Sequence, residues 1–399
     1  MRRHRYSNGH YFSEVLERVK QVETLLKGLG LDLQQRCLAI QRVLESKRTG
    51  CEIQGYVKET YDKTDQIRQE IEALLSDSDL GNAKLLSNQF FAFSRLTEKL
   101  SEIEWYPLPA ITRYNDTDHF LGYVCALLVS QVKYPLQIPL VSGFSSDYYG
   151  AIPPYHLIKV PAVEHLFLLG LPDLCHELGH ILFSNYTGTF LGNFFSDLSS
   201  YIQSEKQRRI REGAPPNYQV LYDRLETEWK DRWTTEFASD MIATFMVGPA
   251  FGRTHIRLCC SLDPDVFRPG FGESSTHPSG ESRIRAIIAM LKRIGLDEDS
   301  KVIQDQWLKY LSAIGSKKPM EYDLCYPDAL IDSLAREVHN GCVKIGLVSY
   351  KDQRNSNDDI NLLVLLNEAW TTLLTNTLDY AKWESEQIKR LRENINRGT

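Results

Sequence analysis

The chain contains no apolar run long enough to cross a membrane. Its most apolar stretches include Phe120–Val132 and Ile360–Leu366, both well short of the ~20 residues that a spanning helix requires. A secretory leader is also missing: Met1-Arg-Arg-His-Arg-Tyr6 is basic, but no apolar segment follows it. The eight cysteines, at 37, 51, 125, 175, 259, 260, 325 and 342, form no Cys-x-x-Cys pair, which excludes a zinc-finger or disulfide framework. Most sit in apolar settings and read as buried thiols; a reducing cytoplasm is the simplest compartment. There is no basic excess: 46 Lys and Arg against 52 Asp and Glu leave a net charge of −6. Nothing in that balance favours nucleic acid as a partner. What remains is a globular composition, 42% hydrophobic and 25% charged over 399 residues, enough for two or three domains with ample core.

Against that background one segment carries chemistry. His176-Glu177-Leu178-Gly179-His180 follows the H-E-x-x-H pattern inside the apolar run Leu171–Phe183, which predicts a buried helix. Residues four apart share a helix face, so His176 and His180 can aim two imidazoles at one metal ion. Glu177 flanks that face, within reach of a water on the ion. Two imidazoles and a nearby carboxylate suit a hydrolytic zinc site, the carboxylate taking a proton as the water attacks a carbonyl. Leu174, Leu178, Ile181, Leu182 and Phe183 bury the polar triplet, and buried polar groups need partners. Gly179, a poor helix former, permits a close approach of another backbone or a ligand.

A catalytic zinc takes three protein ligands and keeps an open position. The third candidate is Glu236, in a second helical run in which Phe237, Met241 and Phe245 share one face and Glu236 and Asp240 another. Stacked carboxylates repel on an exposed helix. In a metal site Glu236 binds the ion, while Asp240 accepts the second ring N–H of a ligand histidine, His176, and fixes its tautomer.

H-E-x-x-H followed by E-x-x-x-D on a later helix resembles a gluzincin metallopeptidase. The separation between the two motifs is closer to that of the CaaX prenyl protease and bacterial heat-shock membrane protease family than to thermolysin-like enzymes. Ser275-Thr276-His277-Pro278, with Arg283 six residues after the histidine, is similar to that family's T-H-P segment. The resemblance covers roughly residues 120–295. It implies that His277 and Arg283 polarise the scissile carbonyl and stabilise the oxyanion, where N–H or cationic donors are needed. A plain reading of the same segment is a turn and helix start, with Pro278 near the N-terminus and Ser279 or Ser282 as cap. The relatives are integral membrane proteins, and here the chain departs from them.

Around this centre the periodicity is mostly helical. Phe12, Val15, Val19, Val22, Leu26, Leu29 and Leu33 alternate spacings of three and four, as do Ile53, Val57, Thr60, Thr64, Ile67, Ile71 and Leu74. The pair predicts an antiparallel coiled-coil hairpin turning at Ser46–Gly50, with Gly28 and Gly30 as sites of bending. A third helix is expected at Lys84–Ile103, carrying Phe90, Phe91, Phe93 and Leu96, then a linker at Trp105-Tyr-Pro-Leu-Pro. Phe120–Val132 reads as a helix; Pro135–Gly143 and Tyr155–Val160 read as strands. Tyr155–Val160 alternates well and is expected as the edge strand that pairs with an extended substrate. Tyr148 and Tyr149, in the loop before it, are placed to reach the cleft. Gly188–Gln219 reads as an irregular connection whose basic stretch Lys206–Arg211 is a solvated face. Val220–Val247 is one long helix stopped by Gly248-Pro249. His255 beside Cys259-Cys260 is a weak candidate for a second metal site. Residues 300–399 read as helical, with Asp358–Arg397 one long helix broken once.

The sequence therefore predicts an α+β, mostly helical fold in three parts. These are a helical coiled-coil hairpin and third helix (1–104), a zincin-like domain with a small edge sheet (105–299), and C-terminal helices packing on the rest (300–399). The expected activity is zinc-dependent endoproteolysis of a protein or peptide. His176, His180 and Glu236 hold Zn2+, Glu177 is the base, Asp240 orients a ligand, and His277 and Arg283 assist. The helical arm either props up the core or recruits a protein partner. The rival reading is a catalytically silent scaffold acting as an adaptor through that arm.

Overall fold

The computed structural model of the chain describes residues 8–47, 51–82, 84–145, 148–213, 215, 217–262, 265–269, 271, 277–320, 322–356 and 359–398; side chains are described from residue 20 to 395, apart from 51–52 and 262. The chain is mostly helical with one small sheet, and it divides into two compact units, Met1–Asn115 and Asp116–Thr399. The boundary thus falls at Asn115 rather than at 104. Residues 300–399 belong to the same unit as the H-E-x-x-H segment.

The first unit contains α1 (Asn8–Ser46), α2 (Cys51–Leu75), α3 (Leu86–Trp105) and the short α4 (Pro107–Thr112). Leu26, Leu33, Cys37, Ile40 and Leu44 are buried along α1, and Ile53, Tyr56, Thr60, Thr64, Ile67 and Ile71 along α2. Gln41 bonds Asp65 at 3.1 Å, while Gly30 lies against Leu75, so the two helices run in opposite directions. Thr60 and Thr64 are tolerated in the seam because their hydroxyls donate to carbonyls one turn back, at 2.9 and 2.8 Å. The side chains of the expected seam positions Phe12, Val15 and Val19, and the turn at 48–50, lie outside what the structure describes. Gly30 does not bend α1: a Cβ there would stand 2.6 Å from Leu75 and 3.1 Å from Phe93, so the glycine serves close packing. In α3, Phe93 and Leu96 are buried but Phe90 and Phe91 are exposed. Trp105 ends α3 instead of opening a linker, and Pro107 starts α4 at a position where no N–H is needed.

The second unit begins with α5 (Asp116–Gln131), β1 (Leu140–Ser145), β2 (Gly150–Ile152) and β3 (Leu157–Pro161). The strand order is β1-β3-β2. β1 runs parallel to β3, with Val141 opposite Ile158, and β2 antiparallel to it, with Ala151 opposite Ile158. This corrects the expected edge strand. Tyr155 and His156 close a short turn, and β3, beginning at Leu157, is the middle strand, flanked by β1 on one side and β2 on the other. β2 spans three residues between Gly150 and Pro153-Pro154, too short to show alternation. β1 starts later than expected because Pro135 and Pro139 cannot donate to a ladder.

Helices complete the unit: α6 (Pro172–Leu191), α7 (Phe194–Arg211), α8 (Asn217–Glu228), α9 (Thr234–Val247), α10 (Pro249–Leu262), α11 (Gly280–Arg293), α12 (Asp297–Ile314), α13 (Tyr322–Cys325), α14 (Asp328–Lys344), α15 (Tyr350–Gln353), α16 (Leu362–Thr375) and α17 (Tyr380–Gly398). The segment expected as irregular between Gly188 and Gln219 is largely α7. Its arginines sit on a solvated face, where Arg208 pairs with Glu205 and Glu212. Between α8 and α9 a π turn, Trp229–Trp233, inserts one wider loop of helix. The expected single long helix is therefore two helices in different register. Among the described residues no helix is long and apolar enough to cross a membrane, and no disulfide forms.

Candidate metal centre

The centre lies where α6 crosses α9. α6 starts at Pro172, with Asp173 in its first turn favoured by the helix dipole. Nearly all of it from Pro172 to Phe183 is buried. At Gly179 the crossing is so tight that a Cβ would stand 2.9 Å from both Cα and O of Ser239. The glycine inside H-E-x-x-H is thus explained by a neighbouring backbone, as its poor helix propensity suggested. On α9 the π turn sets the register that points Glu236 and Asp240 at α6. Trp229 and Trp233, both buried, hold that turn against Phe237 and Tyr326. Such turns recur at functional sites because they re-aim the residues that follow.

The polar atoms converge. His176 Nε2 and His180 Nε2 are 3.0 Å apart, and Glu236 carboxylate oxygens lie 3.5 Å from the first and 3.7 Å from the second. Two ligands about 2.1 Å from one ion at a tetrahedral angle stand about 3.4 Å apart, so these separations match a shared ion. Glu236 Oε2 is buried and accepts no hydrogen bond, a costly state for a carboxylate oxygen that a cation would relieve. Among the described residues this is the one group of three such side chains able to hold a metal ion.

Behind the ligands runs a chain of charge. His176 Nδ1 is 2.9 Å from Asp240 Oδ1. Arg283 grips Asp240 with both Nε and Nη2, at 2.7 and 2.6 Å. Burial raises the Asp240 pKa, but the Arg283 guanidinium and the bond to His176 outweigh it and hold the carboxyl well below its usual range. Asp240 thus stands where a carboxylate can fix the tautomer of a histidine that offers its other nitrogen to an ion. Arg283 reaches that carboxylate from α11, whose N-terminus Ser279 caps by accepting the Ser282 N–H at 3.3 Å. The cap and the arginine are compatible readings of one segment. His277 is half exposed, with Nε2 3.3 Å from Glu236 Oε2; Ser275 and Thr276 lie outside the described residues.

Glu177 is buried, and burial, with the charges of Glu236 and Asp173, pushes its carboxyl up to about 7 against the opposing effect of His176. Its carboxylate also meets the backbone N–H of Ala151, which ties edge strand β2 to the candidate base. Comparison with known protein families, curated proteins and solved structures returns no match. The reading of this centre therefore rests on its own geometry.

A cavity of about 620 Å³ opens beside the ligands. His176, Glu177, His277 and Arg283 line it, as do Tyr148 and Tyr149. Asp173, to which the sequence reading gives no role, and His255, which it weighs for a separate metal site, also line the cavity. Asp173 lies one turn before His176, a spacing that could have marked it for the same face. His255, 2% exposed, faces Gly280 O at 3.3 Å and Cys259 Sγ at 3.5 Å. Cys260 is exposed, so the His255–Cys259–Cys260 trio is not gathered at one point.

Proposed function

We propose that the chain is a zinc-dependent endopeptidase of the gluzincin kind, with a zincin-like pairing of a short sheet and crossed helices. The observation that carries this reading is the convergence of His176, His180 and Glu236 on one point, with Glu177 beside it on a cavity wall. The donor set, two imidazoles and a carboxylate, favours zinc.

An ion held there supplies Lewis acidity and an acidified water. Glu177, buried and close to neutrality in its pKa, takes the proton during attack on the carbonyl and returns it to the leaving amine. His277, at the half-exposed mouth, donates an N–H where negative charge develops. Arg283 spends two nitrogens on Asp240 and so acts first as a positioning residue for His176. The peptide substrate lies extended along the outer edge of β2, next to Glu177.

The test is metal content and cleavage measured together. Elemental mass spectrometry is expected to find about one zinc per chain, lost in Glu236→Ala. Glu177→Gln is expected to keep the zinc and lose at least about a hundredfold in peptide cleavage. A wild-type chain that holds no metal after reconstitution would sink the enzyme reading and leave the adaptor.

A further inference from the structure

Beside the candidate base Glu177, Asp173 is the buried carboxylate on the cavity wall among the described residues. It is 5% exposed, lines the cavity, and accepts a hydrogen bond from the neutral Tyr148 hydroxyl. Among the described residues no Lys, Arg or His pairs with it. Two other buried carboxylates are differently supplied. Asp240 has Arg283, and Glu228 has Arg224 and Arg232 at 3.9 and 3.6 Å. Glu164, 9% exposed, adds a second negative group beside Asp173 and Tyr149. The cation near both is Arg257, exposed on α10 and engaged in no ion pair with either. Burial pushes the Glu164 and Asp173 carboxyls upward against the smaller opposing effects of Arg257 on both and of His176 and Arg283 on Asp173.

A carboxylate in the first turn of a helix is favoured by the dipole, which accounts for tolerance of Asp173. That term is small beside the desolvation of a buried charge. A cation arriving from the cavity would restore the balance. Leu258, Val266 and Phe271 form apolar wall in the same cavity, suited to the aliphatic stem of a long side chain. Arg283 offers no net repulsion there, since Asp240 neutralises it.

We propose that this corner is the subsite for a lysine or arginine side chain of the substrate adjoining the scissile bond, with Asp173 as its counter-charge and Tyr148 orienting the carboxylate. This rests on the peptidase reading for the identity of the ligand.

The experiment uses the zinc-loaded full-length chain and peptides carrying Arg, Lys, Gln or Leu at each position beside the cleaved bond. Arg and Lys peptides are expected to exceed Leu peptides by about tenfold or more in kcat/KM, and the ratio is expected to collapse in Asp173→Asn. Because the ratio compares substrates on one sample, altered folding or zinc loading does not move it. Butylguanidinium is expected to inhibit competitively where its neutral isostere butylurea does not, a readout needing no variant. Cleavage without preference, or equal action of the two probes, overturns the subsite and leaves the peptidase standing. If no peptide is cleaved, the peptidase reading falls. Calorimetric titration of the wild type with butylguanidinium and butylurea then decides the subsite, and absence of selective binding sinks it.

Discussion

At the scale of single residues, Gly179 shows a helix accepting a poor helix former for the sake of a neighbour. Alanine there gains about 1 kcal/mol in helix propensity. It also forces a methyl to within 2.9 Å of the Ser239 backbone, and overpacking against groups that cannot yield costs about 1–3 kcal/mol. Gly179→Ala is expected to lower the urea midpoint and to weaken metal binding, because the ligands sit on the two helices it pries apart. His255 gives a pH signature. Burial, with the nearby Arg283 charge, lowers its pKa from 6.5 to about 3. Between those values the unfolded chain binds a proton that the folded chain refuses. Stability therefore falls as pH drops below 6.5, by up to about 1.4 kcal/mol per pH unit from this group. His255→Phe is expected to flatten the loss between pH 6.5 and 5, measured by urea unfolding. The candidate ligands His176 and His180 were legible because their spacing matches a helix face. Asp173 was not, because one aspartate in a first turn looks like any other.

At the scale of elements, the longer helices and two of the three strands were readable, while α7 and β2 were not. Long amphipathic periods repeat a signal many times; a three-residue strand such as β2 offers no repeat. The π turn was also hidden, since nothing in Trp229-Lys-Asp-Arg-Trp233 interrupts helical periodicity. Its function is testable. The wide turn absorbs one extra residue, so deleting Asp231 would restore ordinary winding and leave α9 in phase with α8, whereas an alanine inserted after Thr235 would turn Glu236 and Asp240 by about 100°. The insertion is expected to preserve helical circular dichroism while abolishing stoichiometric zinc, measured on the same preparation.

At the scale of the whole molecule, the chain separates into a purely helical unit and a unit that carries every candidate metal-site residue. A chain beginning at Asp116 is expected to fold and to bind metal with the stoichiometry of the full chain, measured by elemental mass spectrometry and thermal unfolding. Loss of the metal would show that the centre depends on the first unit. The C-terminal hundred residues brace the far end of α9: Asn367 donates to the carbonyl of Val247 at 2.9 Å. The line from Arg283 through Asp240 to His176 crosses three helices without touching solvent-exposed charge. It acts as a tie rod. A small rotation of α11 would be delivered to the His176 imidazole, so a compound wedged against that helix could disarm the candidate centre without entering the cavity beside it.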